Sequence, residues 1–318
     1  MSSILFIKTS SLGDVVHQLP AMTDARRRFP AAKIAWVAEE AFVPLARLHP
    51  AIDEVIPVAT RRWRYQPLDK KTWREAASFR RSLRSIGAET VIDTQGLIRS
   101  AIISRLSHGV RHGYDHQSIT ETPASFFYNV KHRVSRALHA VTRNRVLTGL
   151  SLGYDSFAQL DYGLGHLIPA KRSRHALLFH GTSRVEKEWS DAEWIKVGQW
   201  IAAQAYTVLL PWGNARELAR CRYLSSFIPG ATILENLPID KLAEITATAS
   251  FVVGVDTGLL QLAAACGTPL ASIFISSNIS LTGPTGNGPI VCFDGSKKSV
   301  SADEVVKSLE RDWPSFAV

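Results

Sequence analysis

Cysteine is scarce: the 318-residue chain has three, Cys221, Cys266 and Cys292. An odd number with no CxxC pair excludes a disulfide framework and a thiolate metal site, and it suits a reducing compartment. All three are expected to be small buried hydrophobes. The ten histidines include no HExxH element, and no Asp-x-Asp pair occurs, so familiar spacings for a protein-bound metal are missing. GxGxxG and GxxxxGK[ST] are missing too, which removes the common dinucleotide fingerprint and the P-loop. Long apolar runs are lacking. The most apolar stretch, 251–275, is interrupted by Asp256, Gln261 and Pro269, and it is expected to fold as strand, helix and strand, not as a membrane span. Ile4-Leu5-Phe6-Ile7 is too short for the apolar core of a signal peptide, and no positive region precedes it. Any membrane contact is therefore expected to be peripheral.

What is present describes a soluble globular chain: 46% hydrophobic and 20% charged residues. The length accommodates two domains of about 150 residues, each able to bury a core. A formal net charge of +9 favours anionic partners such as nucleic acid, phosphorylated small molecules or an anionic membrane, without choosing among them.

Short apolar segments alternate with helix-length ones. Strands are predicted at Ile4–Ile7, Ile34–Val37, Val55–Val58 and Thr90–Asp93. In the second half they are predicted at Leu177–His180, Thr207–Leu210, Thr232–Leu234, Phe251–Val255 and Leu270–Phe274. Capping boxes at Thr72–Glu75 and Ser190–Glu193 predict helix starts. A last helix from Ser301 carries Val305, Leu309 and Trp313. Such alternation implies an α/β protein with parallel sheets covered on both faces. A Gly-, Pro- and Lys/Arg-containing stretch at 163–174 marks the boundary, giving domains 1–165 and 166–318. Ligands of such sheets bind at the carboxyl ends of strands, so two domains facing each other would place a cleft between them.

The loop after the first strand, Lys8-Thr9-Ser10-Ser11-Leu12-Gly13-Asp14, lies at such an end. Gly13 permits a tight turn or a close ligand approach. Ser11 or Asp14 caps the following helix, or Asp14 serves as a general base, being ionised at neutral pH. Lys8 is an anion ligand or a surface lysine, and His17 is a packed histidine before it is a catalyst. The second half repeats the pattern. After the strand ending at His180 come Gly181, Thr182, Ser183 and Lys187, a polar loop or a phosphate cradle. Val255-Asp256-Thr257-Gly258 joins a buried strand to a small-residue helix, and Glu217 follows Pro211-Trp212-Gly213. Residues 61–84 are strongly basic, with Arg61, Arg62, Arg64, Arg80, Arg81 and Arg84 interleaved with Trp63, Tyr65 and Trp73. That suits a nucleic acid, an acidic carbohydrate, a phospholipid surface or simply a solvated face; no nucleic-acid module occurs.

Taken in order, Lys8–Val15, Trp36–Glu40, Arg61–Arg64, Asp93-Thr94-Gln95-Gly96-Leu97, His108–Gly113, Leu210–Gly213 and Val255–Leu259 resemble the bacterial heptosyltransferases of lipopolysaccharide core synthesis, glycosyltransferase family 9. The resemblance implies a GT-B fold, two Rossmann-like domains facing across a central cleft. It implies inverting, metal-independent transfer of L-glycero-D-manno-heptose from ADP-heptose, a substrate and not a cofactor, to a Kdo sugar on lipid A. Asp14 resembles the catalytic base. Lys8, Ser11, Gly13, Arg61, Arg62, Arg64 and Gln95 match the acceptor side. Thr182, Ser183, Lys187, Glu217, Asp256, Thr257, Gly258 and Gln261 match the donor side. No metal ligands and no nucleic-acid partner are implied, and the enzyme would work in the cytoplasm, peripherally on the inner face of the inner membrane.

Three departures stand out. The family usually has His where this chain has Gln261. It usually reads Gly-Pro-Thr-Asp after the last core strand, where this chain has Ile275-Ser276-Ser277-Asn278 and a later Gly283-Pro284-Thr285. A basic residue expected near Thr120 is missing. Two alternatives remain open here: a related enzyme that uses a heptose acceptor, and a non-catalytic binder of nucleotide sugars or anionic lipids.

Overall fold

The computed structural model describes residues 2–155, 157–182, 184–276, 278–296 and 298–312. The chain forms two compact units, Met1–Gly163 and Leu164–Val318. Among the described residues, the first unit holds strands β1 (Ser3–Ile7), β2 (Lys33–Glu39), β3 (Glu54–Val58), β4 (Thr90–Asp93), β5 (Val110–Tyr114) and β6 (Val130–His132). They form one parallel sheet in the order β3-β2-β1-β4-β5-β6. Helices α1 (Leu12–Arg28), α2 (Val43–Arg47), α3 (Thr60–Tyr65), α4 (Lys70–Ser85), α5 (Ile98–Leu106) and α6 (Ala140–Leu152) connect them.

The second unit holds β7 (Ser173–Phe179), β8 (Thr207–Leu210), β9 (Thr232–Ile233), β10 (Ala249–Val255), β11 (Leu270–Phe274) and β12 (Ile290–Asp294), in the parallel order β12-β11-β10-β7-β8-β9. Its helices are α7 (Asp191–Ala203), α8 (Ala215–Ser225), α9 (Ile239–Thr248), α10 (Gly258–Ala265), α11 (Ile279–Thr282) and α12 (Ala302–Asp312).

Central parallel strands are covered on both faces, which is why they read as continuous apolar runs. Every residue of β1 is buried, and every residue of β11. The strands that sequence reading missed, β5, β6 and β12, lie toward or at sheet edges, where Val110-Arg111-His112 and Val130-Lys131-His132 need bury less. On edge strand β12, period-two alternation turns Cys292 outward, so this cysteine is exposed, whereas Cys221 and Cys266 are buried as expected.

One helix start is corrected. Asp69, not Thr72, caps α4, its carboxylate accepting from the Lys71 N–H at 2.8 Å. Asp69 offers a carboxylate acceptor one turn earlier, so Thr72 lies inside the helix and is buried. Ser190 caps α7 and Ser301 caps α12 as predicted; Trp313 lies outside the described residues.

Candidate active site

In both sheets the strand order reverses beside a central strand, between β1 and β4 in one unit and between β7 and β10 in the other. Ligands of open α/β sheets bind at such switch points, outside the carboxyl ends of the strands.

In the first unit the loops leaving β1 and β4 are tied together. The Thr94 N–H donates to the Ile7 carbonyl, and the Gln95 side-chain oxygen accepts from the N–H groups of Thr9 and Ser10 at 3.1 and 3.2 Å. Gln95 can do this because Asp93 shapes its turn. The fully buried Asp93 carboxylate accepts from the N–H groups of Gln95 and Gly96 and from the Tyr128 hydroxyl at 2.8 Å. Burial pushes the Asp93 pKa up, and these donors work against that rise. Tyr128 lies flat on Gly113: a Cβ there would stand 2.3 Å from its ring.

Asp14 falls in the first turn of α1 and does cap it. One carboxylate oxygen accepts from the Ser11 N–H at 2.8 Å and from the Ser11 hydroxyl at 3.0 Å. The other faces the Lys8 ammonium at 3.6 Å. Lys8 is buried, donates to the Thr94 carbonyl at 3.1 Å, and has its own carbonyl held by the Trp36 indole N–H. Desolvation pushes the Asp14 pKa up, but Lys8, the Ser11 donors and His17 outweigh it and hold the carboxyl below its ordinary value. Asp14 is therefore an anion at neutral pH, yet its side chain keeps 40% exposure. Gly13 is an ordinary helical residue here, so no tight turn requires it; the lack of a side chain leaves only the close approach as its use.

A pocket of about 210 Å³ opens on this group. Lys8, Asp14, Thr94 and Gln95 line one side; Tyr114, Thr120, Arg143 and Asn144 line the other. Of the predicted acceptor residues, Lys8 and Gln95 join Asp14 in this lining. Arg61, Arg62 and Arg64 do not. Arg62 is held between Glu40 and Glu75 at 3.0 and 2.8 Å, the Arg61 guanidinium lies over Phe42, and that of Arg64 over Tyr65. Glu39, buried, caps α3 by accepting from the Thr60 hydroxyl and the Arg61 N–H. Tyr114, Arg143 and Asn144 escaped sequence reading because β5 gave no apolar run and α6 no motif.

In the second unit the loop after β7 meets the turn after β10. The Thr182 hydroxyl donates to the Asp256 carbonyl at 3.2 Å, and Lys187 pairs with the Asp256 carboxylate at 2.5 Å. Thr257 is the N-cap of α10, and Gly258 its first residue. Glu217, in the first turn of α8, accepts from the Gly213 N–H at 2.7 Å and stands over Gly181. Gln261 is buried, its amide donating to the Thr282 carbonyl at 2.7 Å, which braces α11 and the following Gly283-Pro284 against α10. Ser183 lies outside the described residues. Among the described residues no three His, Cys, Asp or Glu side chains group as metal ligands.

Residues 76–309 match the model of glycosyltransferase family 9 (heptosyltransferase). The chain is 38% identical over 295 residues to lipopolysaccharide heptosyltransferase 1 of Escherichia coli K12, covering 91% of this chain and 92% of that one.

The chain belongs to glycosyltransferase family 9.

It is therefore a glycosyltransferase of the heptosyltransferase family. Its structure matches E. coli heptosyltransferase WaaC solved with ADP at a TM-score of 0.91, with 36% identity over 98% of this chain and 99% of that one. WaaC solved with ADP-2-deoxy-2-fluoro heptose matches at 0.88, with the same identity and coverage. The two parallel sheets with their flanking helices are the α/β halves of a GT-B fold.

Proposed function

We propose that this family member transfers L-glycero-D-manno-heptose from ADP-heptose to a Kdo residue of Kdo-lipid A, with inversion and without a metal, in lipopolysaccharide inner-core synthesis. The first unit takes the acceptor and the second the nucleotide sugar. The observation that carries the reading is Asp14: an ionised, partly exposed carboxylate held by Ser11 and Lys8 at a switch-point pocket. Likeness to WaaC solved with ADP and with an ADP-sugar analogue supports the donor.

In this reading an acceptor hydroxyl gives its proton to Asp14 as its oxygen attacks the anomeric carbon. The bond from that carbon to the diphosphate oxygen breaks, and ADP leaves with the electron pair. A single displacement inverts the anomeric centre. Charge growing on the diphosphate is met by Lys187, by the Thr182 and Ser183 hydroxyls and by the N-terminus of α10 at Thr257-Gly258. Asp256 keeps Lys187 in place, Glu217 takes the ribose, and Gln261 supports the donor turn. Lys8, Ser11, Gly13 and Gln95 shape the acceptor side. Arg61 and Arg64 meet acceptor phosphates, with Arg62 bracing them.

Transfer from ADP-heptose to de-acylated Kdo-lipid A in EDTA checks the reading. Wild type is expected to turn over; Asp14→Asn is expected to lose about 10²–10⁴-fold in kcat with ADP-heptose affinity kept within a few fold. Turnover only on a heptose-terminated acceptor, or none with the donor still bound, would sink the Kdo reading.

The same reading places the enzyme peripherally on the cytoplasmic face of the inner membrane. No helix of the described residues is long and apolar enough to cross a membrane. Helix α4 presents a groove lined by Trp73, Ala76, Ala77, Arg80, Arg81 and Arg84, and Tyr65, Leu68 and Trp73 are exposed beside it. Each arginine near an anionic surface contributes about 1 kcal/mol. Arg80→Glu, Arg81→Glu and Arg84→Glu combined are expected to abolish sedimentation with anionic vesicles while leaving turnover of the de-acylated acceptor intact; unchanged sedimentation would end this account.

A further inference from the structure

The exposed apolar surface of the first unit does not end at α4. Helix α5 presents Ile98, Ile102 and Arg105 at i, i+4 and i+7, one exposed stripe, while Ala101, Ile103 and Ser104 are buried. The turn Thr122–Phe127 packs beside it, and the Ile98 N–H donates to the Glu121 carboxylate at 2.7 Å. Phe126 on this turn is 80% exposed. The backbone on either side of it is fixed. Ala124, Ser125 and Tyr128 are buried, and Arg111 Nε donates to the Phe127 carbonyl at 2.9 Å. The Lys131 ammonium lies over the Phe126 ring, 5.7 Å from its centroid. Among the described residues neither Arg105 nor Lys131 pairs with a carboxylate.

A single exposed apolar side chain needs no explanation. A phenylalanine held out on a braced turn, under one cation and beside a stripe ending in another, has the make-up of an interfacial anchor: apolar groups enter the acyl boundary and cations stay with the phosphates. A second copy of this chain fits poorly, because a two-fold contact through this face brings Arg105 and Lys131 toward their own copies. The stripe is also continuous with two features already described. Leu106, next after Arg105, lines the α4 groove with Trp73 and Arg80. Leu97 and Thr120, next before Ile98 and Glu121, line the Asp14 pocket.

We propose that Phe126, with Ile98 and Ile102, is a second anchor, which enters the headgroup boundary of an anionic bilayer and holds the mouth of the Asp14 pocket at the lipid surface. The assignment rests on the peripheral-membrane reading and adds an apolar contact to the charge of α4; charge and apolar insertion together hold a protein at a bilayer better than either alone.

Sedimentation of the full chain with vesicles of equal parts phosphatidylglycerol and phosphatidylcholine tests this. Phe126→Ser is expected to raise the vesicle Kd by about tenfold, and by the same factor at low and at physiological salt, because the lost contribution is apolar. Phe126→Trp, which keeps a ring suited to the interface, is expected to bind as wild type does. In Phe126→Ser, turnover of Kdo-lipid A presented in such vesicles is expected to fall with the binding, while turnover of the de-acylated acceptor stays unchanged. Vesicle binding by Phe126→Ser equal to wild type, with the combined α4 charge reversal abolishing it, would overturn the anchor and leave the α4 reading standing. Wild type that fails to sediment with these vesicles would overturn the membrane reading and the anchor together. An equal loss on the de-acylated acceptor would overturn the anchor and make Phe126 a support of the pocket rim. A dimer in the absence of vesicles that Phe126→Ser dissociates, with vesicle binding unchanged, would overturn it in favour of a second copy.

Discussion

At the switch point of the first unit a lysine and an aspartate stand 3.6 Å apart; at that of the second unit they stand 2.5 Å apart. Asp14 lies inside its helix, at the third position, and caps it. Asp256 lies just before the N-cap Thr257, outside its helix. The Asp14 side chain is 40% exposed and that of Asp256 is 13% exposed. The same topology and the same pair of residue types thus yield two different devices. A loosely paired, solvent-reaching carboxylate has a face left to accept a proton. A clamped one holds a lysine and a turn in place. In the proposed reaction the first unit supplies the base and the second supplies the positive charge that receives the leaving group.

If that division holds, the two lysines are not interchangeable in effect. Lys187→Ala removes the cation proposed to face the diphosphate and takes from the largely buried Asp256 carboxylate the ammonium that it holds. ADP affinity measured by calorimetry is expected to fall by on the order of ten- to a hundredfold. Lys8→Met is expected to leave ADP affinity unchanged, because its partners, Asp14 and Thr94, belong to the first unit. An equal fall in both variants would erase the distinction between the sites.

The pH profile sharpens the same contrast. The Asp14 pKa is held down in the folded enzyme, with Lys8 the largest lowering influence and burial opposing it. A depressed carboxylate stays ionised until pH falls through its folded pKa, so the acid limb of kcat/KM assigned to Asp14 is expected below pH 4. The associated stability is present above the unfolded pKa and lost on the way down. Without Lys8 the burial influence remains and the attraction goes. Lys8→Met is therefore expected to move the acid limb upward. A limb that stays in place would mean that Lys8 does not set the charge state of Asp14.

The parts of this arrangement that sequence reading reached share a physical cause. Central strands β1, β4, β10 and β11 are buried on both faces, so they are apolar runs, and the loops after them stand out as Lys, Ser, Thr, Gly and Asp. The parts it missed lack that contrast. Val110-Arg111-His112-Gly113-Tyr114 has no apolar period, so β5 went unrecognised and with it the pocket wall of Tyr114 and Arg143. Arg62 resembled a free cation because its partners are distant in sequence: Glu40 and Glu75 reach it only through the packing of α3 against β2 and α4. The Thr72 capping box pointed to a helix start one turn too late: Asp69, which no such box marks, caps α4 because the chain leaves the preceding turn there.

A small change tests how closely the second site is fitted. Gly181 follows β7, and a Cβ built there would stand 2.7 Å from the Glu217 carboxyl carbon. The obstructing atoms belong to the end of a flexible side chain, so Gly181→Ala need not disturb the fold: Glu217 can swing away. Doing so breaks its bond from the Gly213 N–H at 2.7 Å, an interaction contributing about 1 kcal/mol. Thermal stability is therefore expected to change little. ADP affinity is expected to fall by about fivefold if Glu217 takes the ribose, and adenine diphosphate analogues lacking ribose hydroxyls are expected to bind both proteins alike. An Ala variant that binds ADP as tightly as wild type would remove Glu217 from the donor site and leave it as a cap for the 213 turn. The first unit provides the control. There a Cβ at Gly113 meets the rigid ring of Tyr128 at 2.3 Å, with no flexible end to yield, so Gly113→Ala is expected to lower stability by more than Gly181→Ala does.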